Sequence, residues 1–407
     1  MKCRQVIQAL GFAFLLPHFS FGQNQPLSLE QALEHARRRA PLILAAQDRI
    51  EEARGRLLGA RVLLRDNPAL EFSGGPRYTP GSDLLDAEVG LSQSFELGGR
   101  RHSRILGAQA DVERETASSQ NVVRELLRDV AAAFWQTVAA AERVRSAQKA
   151  DSVANELLES MRRRYQAGDV PVLDVNVARI AAARTRAQVH AAEAEQTRAL
   201  GDLRILLGIR SDEPLSVEGT LTTPDRFELD QLVAEALKRP DLQAIAAEVR
   251  QAEAEVQLGR GFQWPDLGLG FRYGRDEGDK IAKGALTLSL PVFARGQELR
   301  ATGEARASRL RRELEAGRLA IANEVRTAFD IHQRRVDAAD ELQRNAVQAL
   351  DENETLARRS FEEGEINLLD FLIIRRDAFE TRLIYLNQLL EAKLSAVDLE
   401  ARAGVLK

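Results

Sequence analysis

Residues 165–174 read YQAGDVPVLD, and residues 361–370 read FEEGEINLLD. Both stretches have an aromatic residue, a glycine three positions later, and the pair Leu-Asp beginning five positions after the glycine. Each follows a long segment, 100–167 or 297–363, that contains no proline and is rich in Ala, Leu, Glu, Arg and Gln. Such composition favours helix. The sequence therefore predicts two very long helices, each ending in the same tight turn before another helix. Two shorter helices, over 28–66 and 172–207, are expected to pack end to end along the first long helix.

The duplication extends over most of the chain. Matched positions lie 200 residues apart near the N-terminus and 196 residues apart near the C-terminus. A period of this length indicates duplication of a domain-sized unit and not a solenoid of short repeats. We assign residues 23–210 to the first repeat, 211–226 to a linker, and 227–407 to the second repeat. The matched pairs include Leu29 and Leu229, Ala36 and Ala236, Gly99 and Gly296, and Arg179 and Arg375.

Four short segments between the helices alternate apolar and polar residues, near 70–76, 85–97, 266–274 and 284–293. A period of two over roughly ten residues matches a transmembrane β-strand, with one face to lipid and one to water. A soluble hairpin with one face on a core is the alternative. Four strands cannot close a barrel in lipid, whereas three chains would supply twelve and leave a lumen. If the protein is a pore, a trimer is therefore predicted.

The N-terminal residues 1–22 resemble a signal peptide. Two basic residues precede an apolar core, Val6 to Leu16, and Ser-Phe-Gly precedes the expected cleavage site. Cys3 lies before this core, so a lipid-modified N-terminal cysteine is not expected, and the mature chain would carry no thiol. The alternative, a membrane-anchoring helix, is opposed by Pro17, which ends the apolar run short of the roughly 20 residues that span a bilayer.

Composition excludes several classes of protein. The formal net charge of −4 gives no general attraction to nucleic acid. No nucleophile elbow or phosphate loop is present, so neither an enzyme nor a cofactor is expected. Soft metal ions need thiolate, thioether or imidazole ligands, and no resident metal site is expected from the few that the mature chain keeps. These are Met161, His35, His102, His190 and His332, with no two histidines at helical ligand spacing.

The duplicated architecture and the two matched turns resemble the TolC-like outer-membrane efflux protein family. The stretch 95–101, Phe-Glu-Leu-Gly-Gly-Arg-Arg, is similar to the CzcC/CusC-like heavy-metal efflux branch. The resemblance covers nearly the whole mature chain. It implies a mainly α fold with a β-barrel portion: a homotrimer with a 12-stranded outer-membrane β-barrel in outer-membrane lipid and a periplasmic α-helical barrel. It also implies two partners, a periplasmic adaptor protein and an inner-membrane pump, commonly of the RND type.

The two turns can be interpreted at two levels. Gly168 and Gly364 suit the left-handed conformation that ends a helix, and Asp174 and Asp370 fall in the first turn of the next helix, where a carboxylate is favoured. The resemblance adds that these turns form the periplasmic tips. It places Asp370 at the aperture, with Asp174 as a second gate residue and Ile373 where a second acid is often found. Adaptor docking is assigned to Tyr165, Gly168, Val170, Leu173, Phe361, Gly364, Ile366 and Leu369.

The function predicted from these features is a passive exit duct in the outer membrane, one component of a tripartite efflux system. Metal cations are a candidate cargo because of the branch that the stretch 95–101 resembles. Two alternatives stay open. One is a soluble periplasmic coiled-coil scaffold whose hairpins merely pack together, and the other is a drug-efflux or type I secretion duct of the same architecture.

Overall fold

The structure is a computed structural model, and it describes residues 26–79, 82–276 and 279–406. The predicted signal peptide and Cys3 lie outside these residues. Two strand hairpins separate the helices, and a π-helical turn, Gln343–Val347, interrupts the long helical segment of the second repeat. The helices are α1 Leu29–Arg39, α2 Pro41–Arg61, α3 Arg100–Gln166, α4 Val172–Leu207, α5 Leu229–Ala236, α6 Pro240–Gly261, α7 Gln297–Leu342, α8 Gln348–Glu362 and α9 Leu368–Ala403. The strands are β1 Ala69–Thr79, β2 Ser82–Phe95, β3 Asp266–Asp276 and β4 Asp279–Ser289.

The first helix of each repeat is divided in two. A single helix over 28–66 was the expectation, and it is wrong, because the chain turns at Ala40, whose ψ of 128° is extended. Pro41 follows, and proline disfavours the helical conformation in the residue before it. The second repeat turns in the same way before Pro240, where Arg239 has a ψ of 146°.

The long helices organise the molecule. α3 runs for 67 residues, a length of about 100 Å at 1.5 Å per residue. As predicted, two shorter helices, α2 and α4, pack along it, and α6 lies between α3 and α7. The helix expected over 297–363 is present but contains the π-helical turn, so it is not α-helical throughout. Such turns are single inserted residues in a helix and are frequent at functional positions.

The four strands form one antiparallel sheet in the order β1-β2-β3-β4. Register pairs such as Leu91 with Phe271, and Leu269 with Leu286, place apolar side chains on the same face. That face is open in the single chain: the exposed fractions of Phe72 and Leu85 are 76% and 72%. β1 and β4 are edge strands whose outer sides have no partner among the described residues. The single chain therefore presents an apolar sheet face and two free edges.

Glycines join each hairpin to its long helix. Gly98 and Gly99 adopt positive φ values of 73° and 72° between β2 and α3, as expected for a strand-to-helix turn. Gly296, with φ of 70°, does the same before α7. A Cβ at Gly98 would lie 2.6 Å from the carbonyl oxygen of Gly261, so only glycine lets α3 begin against the end of α6.

The main core lies midway along the helices. It gathers α1, the middle of α3, and the C-terminal parts of α4 and α9 around the fully buried Phe134. The linker joins this core through backbone hydrogen bonds, in which the Leu27 N–H donates to the Ser216 carbonyl at 2.9 Å and the Glu218 N–H donates to the Leu27 carbonyl at 2.9 Å. No helix among the described residues is long and apolar enough to span a membrane.

Candidate functional site

The first tip is the turn between α3 and α4. Gly168 has φ of 83°, its N–H donates to the Tyr165 carbonyl at 3.0 Å, and the Asp169 N–H donates to the Arg164 carbonyl at 2.9 Å. These bonds satisfy carbonyl groups that a helix end leaves without partners. Asp174 follows in the first turn of α4, half-buried, and no side chain caps that helix. The left-handed glycine and the position of the acid are as predicted.

The second tip repeats this geometry and adds a side-chain cap. Gly364 has φ of 81°, and the Glu365 N–H donates to the Ser360 carbonyl at 2.8 Å. The Asn367 Oδ1 accepts the Asp370 N–H at 2.9 Å, and the Asn367 amide donates to the Asp370 Oδ2 at 2.8 Å. The exposed carboxylate of Asp370 is therefore held at the start of α9, where the helix dipole favours a negative charge.

One apolar cluster joins the two tips. It combines Met161 of α3 and Val175 of α4 with Leu368 and Phe371 of α9. The rings of Phe361 and Phe371 stack with their centroids 4.8 Å apart. The structure therefore brings both turns to the same end of the molecule and packs them on a shared core.

The predicted docking residues differ in accessibility. Leu173 and Leu369 are 65% and 62% exposed, and Tyr165 is also exposed. Val170 and Ile366 were expected to be exposed contacts, and this is wrong, because both are half-buried, Ile366 against the apolar cluster of the tips. Phe361 packs against the same cluster. An apolar residue two positions after a turn glycine thus completes the hairpin's own core, and sequence alone could not separate it from a docking contact.

The gate candidates lie on two helices. Asp370 and Ile373 are three residues apart on α9, on one exposed side of it, since residues at that spacing are neighbours on a helix surface. Asp174 belongs to α4, on the other hairpin. The single chain therefore offers one exposed acid beside an exposed apolar residue, and a second, half-buried acid nearby.

The polar face of the sheet carries ion pairs that the sequence reasoning missed. Arg272 of β3 reaches across β2 to Glu71 of β1 at 3.1 Å, and it passes over Gly90, where a Cβ would lie 3.1 Å from the Arg272 Cγ. Lys283 of β4 likewise reaches Glu88 of β2 at 3.2 Å across β3, where Gly274 lies opposite Glu88. A glycine opposite one member of each pair was the available signal, because only a missing side chain leaves room for such a crossing.

A third pair, Arg77 with Asp86 at 2.7 Å, lies on the same face. These pairs bring together three cations and three anions, so the polar face compensates its charges internally. A polar face built in this way can meet water without presenting a strong field of either sign.

The described residues contain no group of three His, Cys, Asp or Glu side chains that could hold a metal ion. His332 is fully buried: its Nδ1 lies 3.0 Å from the Ser395 hydroxyl, and its Nε2 donates to the Asp225 carbonyl at 3.1 Å. Burial lowers the pKa of His332, which favours the neutral imidazole. These contacts connect α7 and α9 to the linker, so this histidine is structural.

Comparison with known proteins gives concordant matches. The family model described as "Outer membrane efflux protein" matches residues 32–209 and 232–405. The chain is 26% identical over 414 residues to the cobalt-zinc-cadmium resistance protein CzcC of Cupriavidus metallidurans, covering 97% of this chain and 98% of that protein. It is 28% identical over 407 residues to the pyoverdine export outer membrane protein OpmQ of Pseudomonas putida, covering 93% and 85%.

The fold also matches a solved structure over its whole length. The crystal structure of the Campylobacter jejuni CmeC outer membrane channel superposes with a TM-score of 0.77, covering 100% of this chain and 94% of that chain at 16% sequence identity. At this identity the likeness concerns the fold alone. The two segments matched by the family model leave out residues 210–231, which include the predicted linker 211–226.

Proposed function

The chain belongs to the outer membrane efflux protein family, and on that premise we propose that three copies form an exit duct served by an adaptor and a pump. The chain is an outer-membrane efflux channel that extends into the periplasm. The soluble scaffold considered as an alternative has no support among these matches.

The free sheet edges carry the proposal of a trimer. β1 and β4 have unpaired outer sides, and the apolar face between them is exposed. Backbone groups without partners cannot persist in hydrocarbon, so the edges must pair with other copies of the chain. Three copies supply twelve strands, enough to leave a lumen, and the polar face with its ion pairs would line that lumen. We also propose that each chain of the trimer is cleaved after residue 22 and consists of the two repeats 23–210 and 227–407.

The proposed docking of an adaptor is supported by exposed apolar residues at the tips. Leu173 and Leu369 are exposed apolar side chains at the first turns of α4 and α9, two residues before the buried Val175 and directly after the buried Leu368. A periplasmic adaptor could bury them, and an inner-membrane pump, commonly of the RND type, would deliver substrate through it. In the trimer, Asp370 with Ile373 would form the aperture, and Asp174 would hold the closed arrangement.

Metal cations are the proposed cargo, since the relative CzcC is described as a cobalt-zinc-cadmium resistance protein. The described residues form no metal cluster, so selection between metals would belong to the pump and the adaptor. The relative OpmQ, described as a pyoverdine export protein, supports a second candidate, an organic substrate passing through the same passive duct.

The assembly is tested by size-exclusion chromatography with light scattering in a mild non-ionic detergent. A mass of three chains is expected, and a stable monomer would contradict the proposal. The cargo is tested by deleting the gene and measuring growth on cobalt, zinc and cadmium salts and, separately, on a panel of organic compounds. Sensitivity to the metals alone, restored by the wild-type gene, supports metal export. Sensitivity to organic compounds alone supports the second candidate.

A further inference from the structure

A cavity of about 430 Å³ separates the two long hairpins just above the tips. Its walls come from α3, α4 and α9, with one residue, Glu354, from α8. It lies next to the gate candidates, because Leu369 and Ile373 are part of its lining. The size falls within the range of pockets that bind drug-sized molecules.

The interior of this cavity is apolar. Aliphatic side chains of α3 and α4 form one wall, and aromatic and aliphatic side chains of α9 form the other. Many of these groups would gain contacts with an apolar molecule placed between the hairpins. The residues are Val153, Leu157, Val177, Ile180, Phe371 and Phe379.

Three cations from three different helices converge on this apolar space. Arg375 of α9 is 15% exposed and forms an ion pair with Glu354 at 3.5 Å, without a hydrogen bond between them. Burial lowers the pKa of Arg375, the sign of a guanidinium with incomplete solvation. Lys149 of α3 and Arg184 of α4 lie at the solvent side of the lining, and neither has an ion-pair partner within the described residues.

The remaining lining cations are already compensated. Arg145 pairs with Glu142 at 2.6 Å, Arg382 pairs with Asp351 at 2.5 Å, and Arg376 pairs with Asp377 at 3.1 Å. Lys149 and Arg184 therefore carry the unpaired positive charge of the lining and are exposed, whereas Arg375 shares its charge with Glu354. Arg375 is the buried one of the three, and a charge buried beside apolar surface is costly unless it is both paired and hydrogen-bonded.

We propose that this cavity is a binding site for a small amphipathic anion, a molecule with one carboxylate or sulfonate group and an apolar body. The anion would accept hydrogen bonds from Arg375, with Lys149 and Arg184 closing the solvent side. The body would lie between the apolar walls formed by α3, α4 and α9. Such a ligand would touch both hairpins beside Leu369 and Ile373, and so would stabilise the spacing between the hairpins at the gate.

The charges of the described lining oppose a cationic ligand. Lys149, Arg184 and Arg375 face one carboxylate, Glu354, which already pairs with Arg375. The volume of about 430 Å³ lies in the range of pockets that take small molecules.

The test uses the purified trimer in lipid nanodiscs and a photoactivatable dodecanoate with the reactive group in mid-chain. Saturable labelling is expected on the peptides that contain residues 145–157 and 369–382, and unlabelled dodecanoate should compete for it. A photoactivatable dodecyl alcohol and a dodecyl trimethylammonium probe should label these peptides far less. Charge-assisted hydrogen bonds of ordinary strength predict at least about a tenfold preference for the anion.

The chain provides a matched control for the key cation. Arg375→Ala should raise the half-saturating concentration about tenfold or more. Arg179 is the repeat counterpart of Arg375, is exposed and does not line the cavity, so Arg179→Ala should leave labelling unchanged. Ala150→Trp keeps every charge and fills the cavity from α3, and it should abolish labelling even if Arg375→Ala proves unstable.

Three results would overturn the proposal: equal labelling by the neutral and cationic probes, labelling that does not saturate, or equal effects of the Arg375 and Arg179 substitutions. Absence of labelling in the trimer would do the same, since it would mean that neighbouring chains cover the cavity. The assay needs neither adaptor nor pump and does not depend on the cargo. Its failure would therefore leave the proposed duct function intact.

Discussion

The two tip hairpins share one turn motif but are stabilised differently. In the first hairpin, α3 reaches the turn as an uninterrupted helix, and Leu157, Leu158 and Met161 are buried beneath it. In the second hairpin, the π-helical turn separates α7 from α8, and Ala357 is the one buried residue of α8. The first hairpin is anchored to the core of the tips by large side chains, whereas α8 rests mainly on α9.

The repeat explains this difference residue by residue. With the offset of 196 that relates the turns, Met161 corresponds to Ala357, and Leu157 and Leu158 correspond to Asn353 and Glu354. Three large apolar residues of the first hairpin are thus replaced by a small residue and two polar ones. Regions with few buried apolar contacts open more readily than well-packed ones. The second hairpin, which carries Asp370, is therefore the one expected to move.

The largest effect is expected from removing the anchor of the first hairpin. Met161→Ala deletes a side chain that is 1% exposed, and such changes cost about 2–5 kcal/mol of stability. Ala357→Gly, at the matched position, should cost about 1 kcal/mol, the helix-propensity difference. Hydrogen exchange of peptides from both tips measures the two losses. Equal losses would mean that the hairpins are anchored alike and that the comparison is wrong.

The second-largest effect on stability is expected at two aspartates that form ion pairs with arginines at equivalent positions of the two repeats. Arg186 and Arg382 occupy equivalent repeat positions, and their partners are Asp151 at 2.9 Å and Asp351 at 2.5 Å. Asp151 is 12% exposed and also accepts a hydrogen bond from Thr185 at 3.1 Å, whereas Asp351 is 68% exposed.

Asp151→Asn should therefore destabilise the protein by about 1.5–3 kcal/mol, the cost typical of hydrogen bonds to charged groups. Asp351→Asn should cost about 0–1 kcal/mol, as for exposed ion pairs. The check is chemical denaturation of the nanodisc-embedded trimer, followed by tryptophan fluorescence. A larger loss for the Asp351 variant would reverse the ranking of the two hairpins.

The third prediction concerns the turns themselves, where the hairpins should respond alike. A Cβ at Gly168 or Gly364 would meet no atom within 4 Å, so the cost of substitution arises from the positive φ alone. Gly168→Val and Gly364→Val should each cost about 1–2 kcal/mol locally and weaken adaptor docking. The trimer should still assemble, because the sheet lies about 100 Å away along α3.

Crosslinking to the adaptor, with the heat-resistant trimer on a gel as control, measures both consequences. Alanine at each position provides a milder comparison, since it lacks the branched side chain. Unchanged crosslinking and export in both valine variants would remove the tips from the docking mechanism.

The smallest effect on stability, and the most specific one, is expected at the gate acids. Asp370 is exposed, and Asn367 caps α9 by accepting the Asp370 N–H. Asp370→Asn should therefore leave the fold intact and reduce the preference of the channel for cations, measured as conductance in planar bilayers. Asp174→Ala should mainly raise the resting open fraction. Asn367→Ala keeps the charge and removes the cap, which separates the two roles. If both acid variants conduct like the wild type, closure by an apolar ring that includes Ile373 is the better account.

Strong periodicity made much of this architecture predictable. The four strands were located to within about five residues, and the two long helices, the left-handed glycines and the acids after them follow from local preferences of the backbone. The break before Pro41 was missed although its signal was present, because helical composition on both sides outweighed a single proline.

Other features depend on residues that are distant in sequence. The ion pair between Arg272 and Glu71 spans three strands, so it forms only in one register of those strands. The alternation of apolar and polar residues in the sequence does not define that register. The burial of Ile366 depends on how closely the two hairpins approach, and the cavity beside Arg375 is formed by helices more than 180 residues apart in the chain.

The sequence by itself determined the duplication, the order of helices and strands, the turn conformations and the family, because each of these arises from local periodicity or from matched positions along one chain. Only the tertiary structure decided which apolar tip residues remain exposed, how the charges of the sheet pair, and where three cations meet an apolar space. These features arise from side chains packing between elements, and such distances become defined only when α3, α4 and α9 lie side by side.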